Sequence, residues 1–175
     1  MAIKNSELIL NSDGSIYHLH LKPSDIADTL IFVGDQERVG EVTKYFDRID
    51  FEMQSREFKT QTGYYKGKRL SVISTGIGHD NIDIVLNELD ALVNIDLDRR
   101  VYLDKLKSLN IIRIGTSGAM QTDIPIDSIL VSEYAVGLDA LMAFYTYEAS
   151  REEKAILRAI VSQAPAFKPL KPYVC

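Results

Sequence analysis

Cysteine is nearly missing from this sequence: among 175 residues the only one is the last, Cys175. A single cysteine excludes an internal disulfide and a thiolate metal centre, and it favours a reducing compartment. Long apolar runs are missing too, since no segment approaches the roughly 18 apolar residues of a membrane span. Residues 1–15 lack the apolar core of a secretion signal. We therefore expect a cytoplasmic protein without a membrane partner.

No part of the chain concentrates charge of one sign. Lys and Arg number 20 against 25 Asp and Glu, which gives a net charge of -5 at pH 7. No basic block interleaved with aromatic residues suggests a nucleic-acid surface, so we expect no nucleic-acid partner. Hydrophobic residues make up 46% of the chain, which is enough for a compact core. We predict a single domain over residues 1–175.

Apolar runs alternate with helical patterns along the chain. Strands are predicted at 29–33, in a hairpin over 57–65 and 69–75, in the isoleucine run 111–114, which reads as buried on both faces, and at 128–132. Helices are predicted over about 36–46, from Asp80 as N-cap, over roughly 97–109, and from a Ser150/Glu153 capping box to about 163. This alternation is typical of an α/β domain. Residues 173–175 begin a further strand, so we expect the fold to be incomplete at its C-terminus.

Three glycine corners follow predicted strands: Gly34, Gly76–Gly78 and Gly115–Gly118. In open α/β sheets, ligands bind outside the carboxyl ends of the strands. Each corner alone is weak evidence, because glycine at a strand-to-helix turn often meets a steric need. The side chains near each corner therefore have to be considered before a ligand site is predicted there.

Three arginines accompany these corners. Arg38 lies one helical turn beyond Gly34, where a helix N-terminus favours an anion. Arg113 interrupts the isoleucine run just before Gly115, although an unpaired guanidinium is costly in a buried strand. Arg56 opens the predicted hairpin and can serve its own chain or a neighbour. Arginine forks, backbone N–H groups and a hydroxyl suit a tetrahedral oxyanion. A solvated Arg38, or an Arg113 paired with a buried carboxylate, is the alternative.

Metal and dinucleotide sites find less support. His18 and His20 would share one face of a strand, but no third ligand has useful spacing, so we expect no metal site. The segment Gly76–Gly78 lacks the third glycine of a dinucleotide fingerprint, which excludes NAD. Neither a nucleophile elbow nor a Walker A loop is present. We expect no cofactor.

Taken together and in order, several motifs resemble the nucleoside phosphorylase superfamily. They are GDQER at 34–38, SREF at 55–58, STGIG at 74–78, IIRIGTSGA at 111–119 and SILVSEYAVGLDA at 128–140. The resemblance runs from about Tyr17 to Ala140, and the uridine-cleaving branch is the nearest match. It implies a three-layer αβα sandwich with a central mixed sheet, truncated at its C-terminus. Gln36 replaces the family's usual proline, a mild change because proline at this position mainly preorganises the turn.

The resemblance also implies residue roles. Phosphate would be held by Gly34, Arg38, Arg56, Arg113 and Thr116, with Arg38 and Arg113 catalytic. The nucleoside would be bound by His18, Thr116, Ser117 and Gly118. Arg56 and His18 would reach the neighbouring subunit's site, which implies a homo-oligomer, either a dimer or a hexamer built from dimers. The family's base-binding glutamine and arginine, and its ribose-binding methionine and glutamate, have no counterpart in this sequence.

The implied reaction is phosphorolysis of a nucleoside, with uridine favoured, to a free base and ribose 1-phosphate. Phosphate is then a co-substrate, and the enzyme is a pentosyltransferase. Three alternatives remain open at this point: a purine nucleoside phosphorylase, a nucleoside hydrolase, and a non-catalytic truncated domain that still binds phosphate.

Overall fold

Two compact units follow one another along the chain, divided between Ser117 and Gly118. They are seen in a computed structural model that describes residues 2–175. Each unit has its own sheet and at least one helix of its own. The single domain expected over 1–175 stays a prediction. No helix among the described residues is both long and apolar enough to cross a membrane.

The first unit is built on a five-stranded mixed sheet in the order β2-β3-β4-β1-β7. Its strands are β1 (Thr29–Val33), β2 (Arg48–Ser55), β3 (Phe58–Tyr65), β4 (Lys68–Ser74) and β7 (Asn110–Arg113). Two helices, α1 (Gln36–Thr43) and α2 (His79–Asn94), connect them, and β5 (Ile95–Asp96) pairs with β6 (Val101–Tyr102) in a separate hairpin. A 3₁₀ turn spans Pro23–Asp25. Strand β1 is parallel to β4 and β7, whereas β2, β3 and β4 are antiparallel neighbours.

Alternation along β1 builds the layers. Leu30 and Phe32 belong to a core cluster that includes the buried face of α2, with Val85, Leu89 and Leu92. Ile31 and Val33 point the other way, into a smaller cluster with Val39 and Val42 of α1. Because successive side chains of a strand lie on opposite faces, the sheet is covered by one helix on each side. The predicted αβα sandwich with a mixed central sheet is confirmed.

Local signals explain where the helices begin. Asp35 caps α1, since its Oδ1 accepts the backbone N–H of Arg38 at 2.8 Å. The N-cap of α2 is Gly78 rather than the predicted Asp80, which lies inside the first turn. Gly76 has a φ of +70°, and this left-handed turn starts the helix two residues early.

The helix predicted over 97–109 is wrong. The segment contains only β6, and its backbone bonds to the end of α2 instead of to itself. Leu103 N–H donates to the Asn94 carbonyl at 2.9 Å, and Lys107 N–H donates to the Asn94 side chain at 2.7 Å. These tertiary hydrogen bonds outweigh a weak helical pattern.

The isoleucine strand β7 is confirmed as a strand but not as a buried one. Among the described residues it pairs with β1 on one side and with no strand on the other. Its isoleucines are well exposed, with Ile111 at 41% and Ile112 at 55%. An apolar run predicts a strand, but it does not say whether that strand lies at the edge of the sheet.

Strand β2 was not predicted from the sequence. Ile49, Phe51 and Met53 alternate with charged and polar residues along it, which is the two-residue period of a half-buried strand. That alternation was the signal for it. The neighbouring hairpin was predicted over 57–65 and 69–75, and strands β3 and β4 confirm it.

The second unit contains α3 (Arg151–Gln163), 3₁₀ turns at Leu141–Phe144 and Pro165–Leu170, and the antiparallel pair β8 (Val136–Gly137) and β9 (Tyr173–Val174). The predicted capping box is confirmed: Ser150 Oγ accepts the N–H of Glu153 at 3.1 Å, and Glu153 Oε2 accepts the N–H of Ser150 at 2.6 Å. The bond from the Ser150 backbone lowers the pKa of Glu153 below its usual value.

The strand predicted at 128–132 is wrong, and the strand begun at 173–175 is confirmed as β9. Residues 128–132 have no regular structure, and Ile129 and Val131 are 94% and 93% exposed. The segment pairs with no other strand among the described residues. A strand-like composition reports a preference for packing on a sheet, so it forms no strand without a partner.

Candidate active site

The carboxyl ends of the three parallel strands β1, β4 and β7 meet at one end of the sheet, which is called the sheet edge below. In register, Phe32 of β1 lies beside Arg113 of β7, and Val33 lies beside Ser74 of β4. The backbone N–H of Ile114 still donates to the Phe32 carbonyl at 2.9 Å. The three glycine corners therefore begin together, as the sequence predicts: Gly34, Gly76 and Gly115.

Arg38 folds back toward the corner at Gly34. Its Nη2 lies 3.3 Å from Asp35 Oδ2, the carboxylate that also caps α1. The guanidinium is therefore held at the N-terminus of α1, where the helix dipole favours an anion. An arriving anion would have to compete with Asp35 for it.

Arg113 is the last residue of β7, and its side chain turns back over Gly115, two residues later. A Cβ added to Gly115 would lie 2.5 Å from Arg113 Nη1, so glycine leaves the space that this guanidinium occupies. Thr116 and Ser117 come next and are exposed. Gly118 opens the second unit, and its part in the site stays a prediction.

Arg56 reaches the same edge through the turn between β2 and β3. It holds a left-handed φ of 56°, unusual for a residue with a side chain. Gln36 ties this turn to the start of α1, since its Nε2 donates to the Arg56 carbonyl at 2.8 Å and its Oε1 accepts from Gln54 at 2.9 Å. Sequence reasoning noticed Gln36 only as a substitution for proline and missed this link.

The guanidinium of Arg56 points toward His18 through Tyr17. Arg56 Nη2 donates to the Tyr17 hydroxyl at 3.2 Å, and the group lies 5.2 Å from the centre of the Tyr17 ring. The Tyr17 ring in turn meets the His18 ring edge-on at 4.8 Å. The two residues predicted to serve a neighbouring subunit thus form one surface patch, consisting of Tyr17, His18 and Arg56.

His18 and His20 do not share a strand face, because residues 17–19 form a turn. His18 contacts Glu88 on α2, whereas His20 contacts Asp13. Hydrogen bonds from the hydroxyl and backbone of Ser15 lower the pKa of Asp13 to about 2, so that carboxylate is charged near neutral pH. Among residues 2–175, no three His, Cys, Asp or Glu side chains are grouped to hold a metal ion.

A family model described as the phosphorylase superfamily matches residues 28–172. The chain belongs to the phosphorylase superfamily. Among curated relatives, a uridine phosphorylase of Thermococcus kodakarensis is 34% identical over 133 residues, which are 76% of this chain and 43% of that protein. A DeoD-type purine nucleoside phosphorylase of Caldanaerobacter subterraneus is 34% identical over 116 residues, 66% of this chain and 44% of that protein.

Solved structures of the superfamily agree with the fold. The crystal structure of Trypanosoma brucei nucleoside phosphorylase, described as showing uridine phosphorylase activity, matches with a TM-score of 0.87 and 34% identity. The match covers 95% of this chain and 57% of that one. A uridine phosphorylase of Phytophthora capsici matches with a TM-score of 0.64 and 26% identity over 95% of this chain and 58% of that one. The chain thus belongs to a family of enzymes and spans about half the length of these relatives.

Proposed function

We propose that this protein cleaves a nucleoside by phosphorolysis and that uridine is its substrate. The observation that carries the proposal is the sheet edge itself, where Arg38 and Arg113 arrive from two different elements, α1 and the end of β7, next to glycine corners. Two permanently charged guanidinium groups suit a doubly charged phosphate better than a neutral ligand. The similarity to uridine phosphorylases supports the choice of substrate.

In this reaction a phosphate oxygen forms a bond to the anomeric carbon of ribose as the carbon–nitrogen bond to the base breaks. The base leaves with the electron pair of that bond and takes up a proton, and ribose 1-phosphate remains. Positive charge develops on the sugar in the transition state, so an adjacent phosphate is both nucleophile and stabilising charge. The protein contributes positioning and fixed electrostatics rather than covalent chemistry.

The residue roles in this proposal are those that the resemblance to nucleoside phosphorylases implies. Gly34, Arg38, Arg113 and Thr116 would hold phosphate, with Thr116, Ser117 and Gly118 next to the sugar. Arg56 and His18 would extend the patch with Tyr17 into the site of a second subunit, which makes a homo-oligomer part of the proposal. Phosphate and nucleosides are both cytoplasmic metabolites, and the proposal places the protein there.

The activity is tested by measuring release of uracil from uridine, with and without phosphate. Uracil release that requires phosphate and yields equal amounts of ribose 1-phosphate is the expected result. Release that is unaffected by phosphate would identify a hydrolase instead. If calorimetry detects phosphate binding but no base is released, the chain is a phosphate-binding domain without turnover.

A purine nucleoside is the second candidate substrate. It is favoured by the DeoD-type relative, whose identity to this chain equals that of the uridine phosphorylase over a shorter span. Assaying uridine, inosine and adenosine side by side separates the two. Base release from inosine or adenosine, with none from uridine, would replace uridine by a purine nucleoside in the proposal.

Replacing Asp35 by asparagine is expected to strengthen phosphate binding by about fivefold, since two unit charges about 4 Å apart in water interact by about 1 kcal/mol. Asparagine caps a helix as well as aspartate does, so α1 should keep its start while Arg38 loses its competing carboxylate. Isothermal titration calorimetry with inorganic phosphate at low salt measures the change.

The control is Asp47→Asn. Asp47 immediately precedes β2, at the opposite end of the strands, and accepts at 2.8 Å the N–H of Lys66, which lies in the turn between β3 and β4. That change should leave phosphate affinity unaltered. Equal or weaker binding by the Asp35→Asn variant would mean that Arg38 is not held back by Asp35.

A further inference from the structure

Three hydrogen-bond donors from two consecutive residues converge on the carboxylate of Glu88. The backbone N–H of His18 donates to Oε1 at 2.9 Å and to Oε2 at 3.1 Å, and that of Leu19 donates to Oε2 at 2.9 Å. The imidazole Nδ1 of His18 lies 2.6 Å from Oε1. Both oxygens of Glu88 therefore already act as acceptors.

This arrangement decides which ring nitrogen of His18 carries the hydrogen. An ionised carboxylate can only accept hydrogen bonds, so Nδ1 must be the donor in its contact with Glu88. In the neutral ring the other nitrogen, Nε2, is then left with a free lone pair. Which nitrogen of a histidine is protonated is commonly set in this way by the partner of the other one.

We infer that Glu88 is a positioning residue that holds the His18 imidazole with its hydrogen on Nδ1, so that Nε2 can accept a hydrogen bond from a sugar hydroxyl. The identification of the ligand group as a sugar hydroxyl rests on the proposed nucleoside phosphorolysis. The role of Glu88 toward the ring rests only on the contacts between them. Glu88 itself does not need to touch the nucleoside.

The backbone on both sides of His18 is anchored in the core, while the ring stays accessible. Ile16 and Leu19 on either side are buried, at 2% and 1% exposure, and the Ile16 carbonyl accepts the N–H of His20 at 3.0 Å. The side chain of Glu88 is 11% exposed, against 29% for that of His18. Both line a cleft of about 580 Å³ between α2 and the N-terminal segment. A ligand can therefore reach the ring without disturbing what holds it.

The other two histidines of the chain use the opposite nitrogen. His20 Nε2 lies 3.3 Å from Asp13, and His79 Nε2 lies 2.9 Å from Asp80, in both cases at more exposed side chains. His18 thus differs from them in the nitrogen it offers to a carboxylate. The two serve as internal references in any measurement of the ring.

The test is NMR of the imidazole nitrogens in the ¹⁵N-labelled chain at about pH 9, well above the usual histidine pKa of about 6.5. His18 should show a protonated, pyrrole-type Nδ1 and an unprotonated, pyridine-type Nε2. The Glu88→Gln variant should move His18 toward the form with hydrogen on Nε2, because the glutamine amide can donate to Nδ1. The signals of His20 and His79 should stay where they are.

A His18 that carries its hydrogen on Nε2 in the unaltered chain would overturn the inference, and this result needs no variant that folds. Asp13→Asn serves as the matched control, since it should alter the His20 signals and spare those of His18.

Nucleoside binding supplies the functional readout. The Glu88→Gln variant should bind uridine roughly two- to tenfold more weakly, the range expected for one hydrogen bond, with phosphate affinity unchanged. If the unaltered chain binds no nucleoside, the proposed function fails while the nitrogen signals still decide the part played by Glu88. The two failures are therefore distinguishable.

Discussion

The Arg113→Ala variant should bind inorganic phosphate at least about tenfold more weakly than the unaltered chain, because a hydrogen bond to a charged group contributes about 1.5–3 kcal/mol. Arg113 is the last residue of β7, the outermost strand, and lies beside Phe32. Its guanidinium therefore reaches the end of the sheet where Gly34 and Gly115 lie. The residue is exposed, and its removal leaves no cavity in the core. Calorimetric titration with phosphate measures the change.

Arg48→Ala is the matched control for this prediction. Arg48 begins β2, whose other end leads to Arg56, and its guanidinium lies 4.4 Å from the ring centre of Tyr64 at the far edge of the sheet. Its removal takes away the same charge from the chain but not from the proposed site. If both variants lose affinity equally, the effect is one of net charge. If Arg113→Ala binds phosphate as well as the unaltered chain, Arg113 has no part in an anion site.

The largest expected loss of stability is that of Gly63→Ala, at about 3 kcal/mol, because it forces new atoms into a closed space. A Cβ at Gly63 would collide with the backbone carbonyl oxygen of Arg48 and lie 3.0 Å from the Cα of Ile49. Both are backbone atoms that cannot move aside as a side chain can. The pairing of β2 with β3 shifts register between Ile49 and Phe51, where this close approach occurs. The midpoint of urea unfolding should fall accordingly.

Gly40→Ala provides the comparison with the opposite sign. A Cβ there meets no atom within 4 Å, and Gly40 lies inside α1. Alanine in place of a glycine inside a helix adds about 0.5–1 kcal/mol, since it lowers the entropy of the unfolded chain. A urea midpoint of Gly63→Ala equal to that of the unaltered chain would show that β2 and β3 can separate at this point without loss.

Local signals accounted for much of the fold. The apolar run of β1, the turn at Lys66–Gly67 between β3 and β4, and the capping box at Ser150 each depend on residues close together in the chain. For the same reason the glycine corners after β1, β4 and β7 could be placed at strand ends. The strand at 128–132 failed because nothing nearby in the sequence indicates whether a partner strand is present.

The candidate site likewise contains residues that the sequence indicated and residues that it did not. Arg38 and Arg113 were identified because they stand next to their glycine corners in the sequence. Glu88 was not, since it is 70 residues from His18 and no motif in the sequence around it indicates a partner. Gln36 was noticed but its bond to the Arg56 carbonyl was not, because that contact spans 20 residues.

The amino-acid sequence alone was enough to establish the alternating α/β pattern, the arginines beside glycine turns and the resemblance to nucleoside phosphorylases. Propensity, capping and short motifs are properties of neighbouring residues, which explains why they could be read directly. Only the tertiary structure showed that β7 is an outermost strand, that Gly63 packs against the backbone of β2, and that Glu88 contacts the His18 ring. Each depends on which distant backbone or side chain comes to lie alongside, and long-range packing settles that.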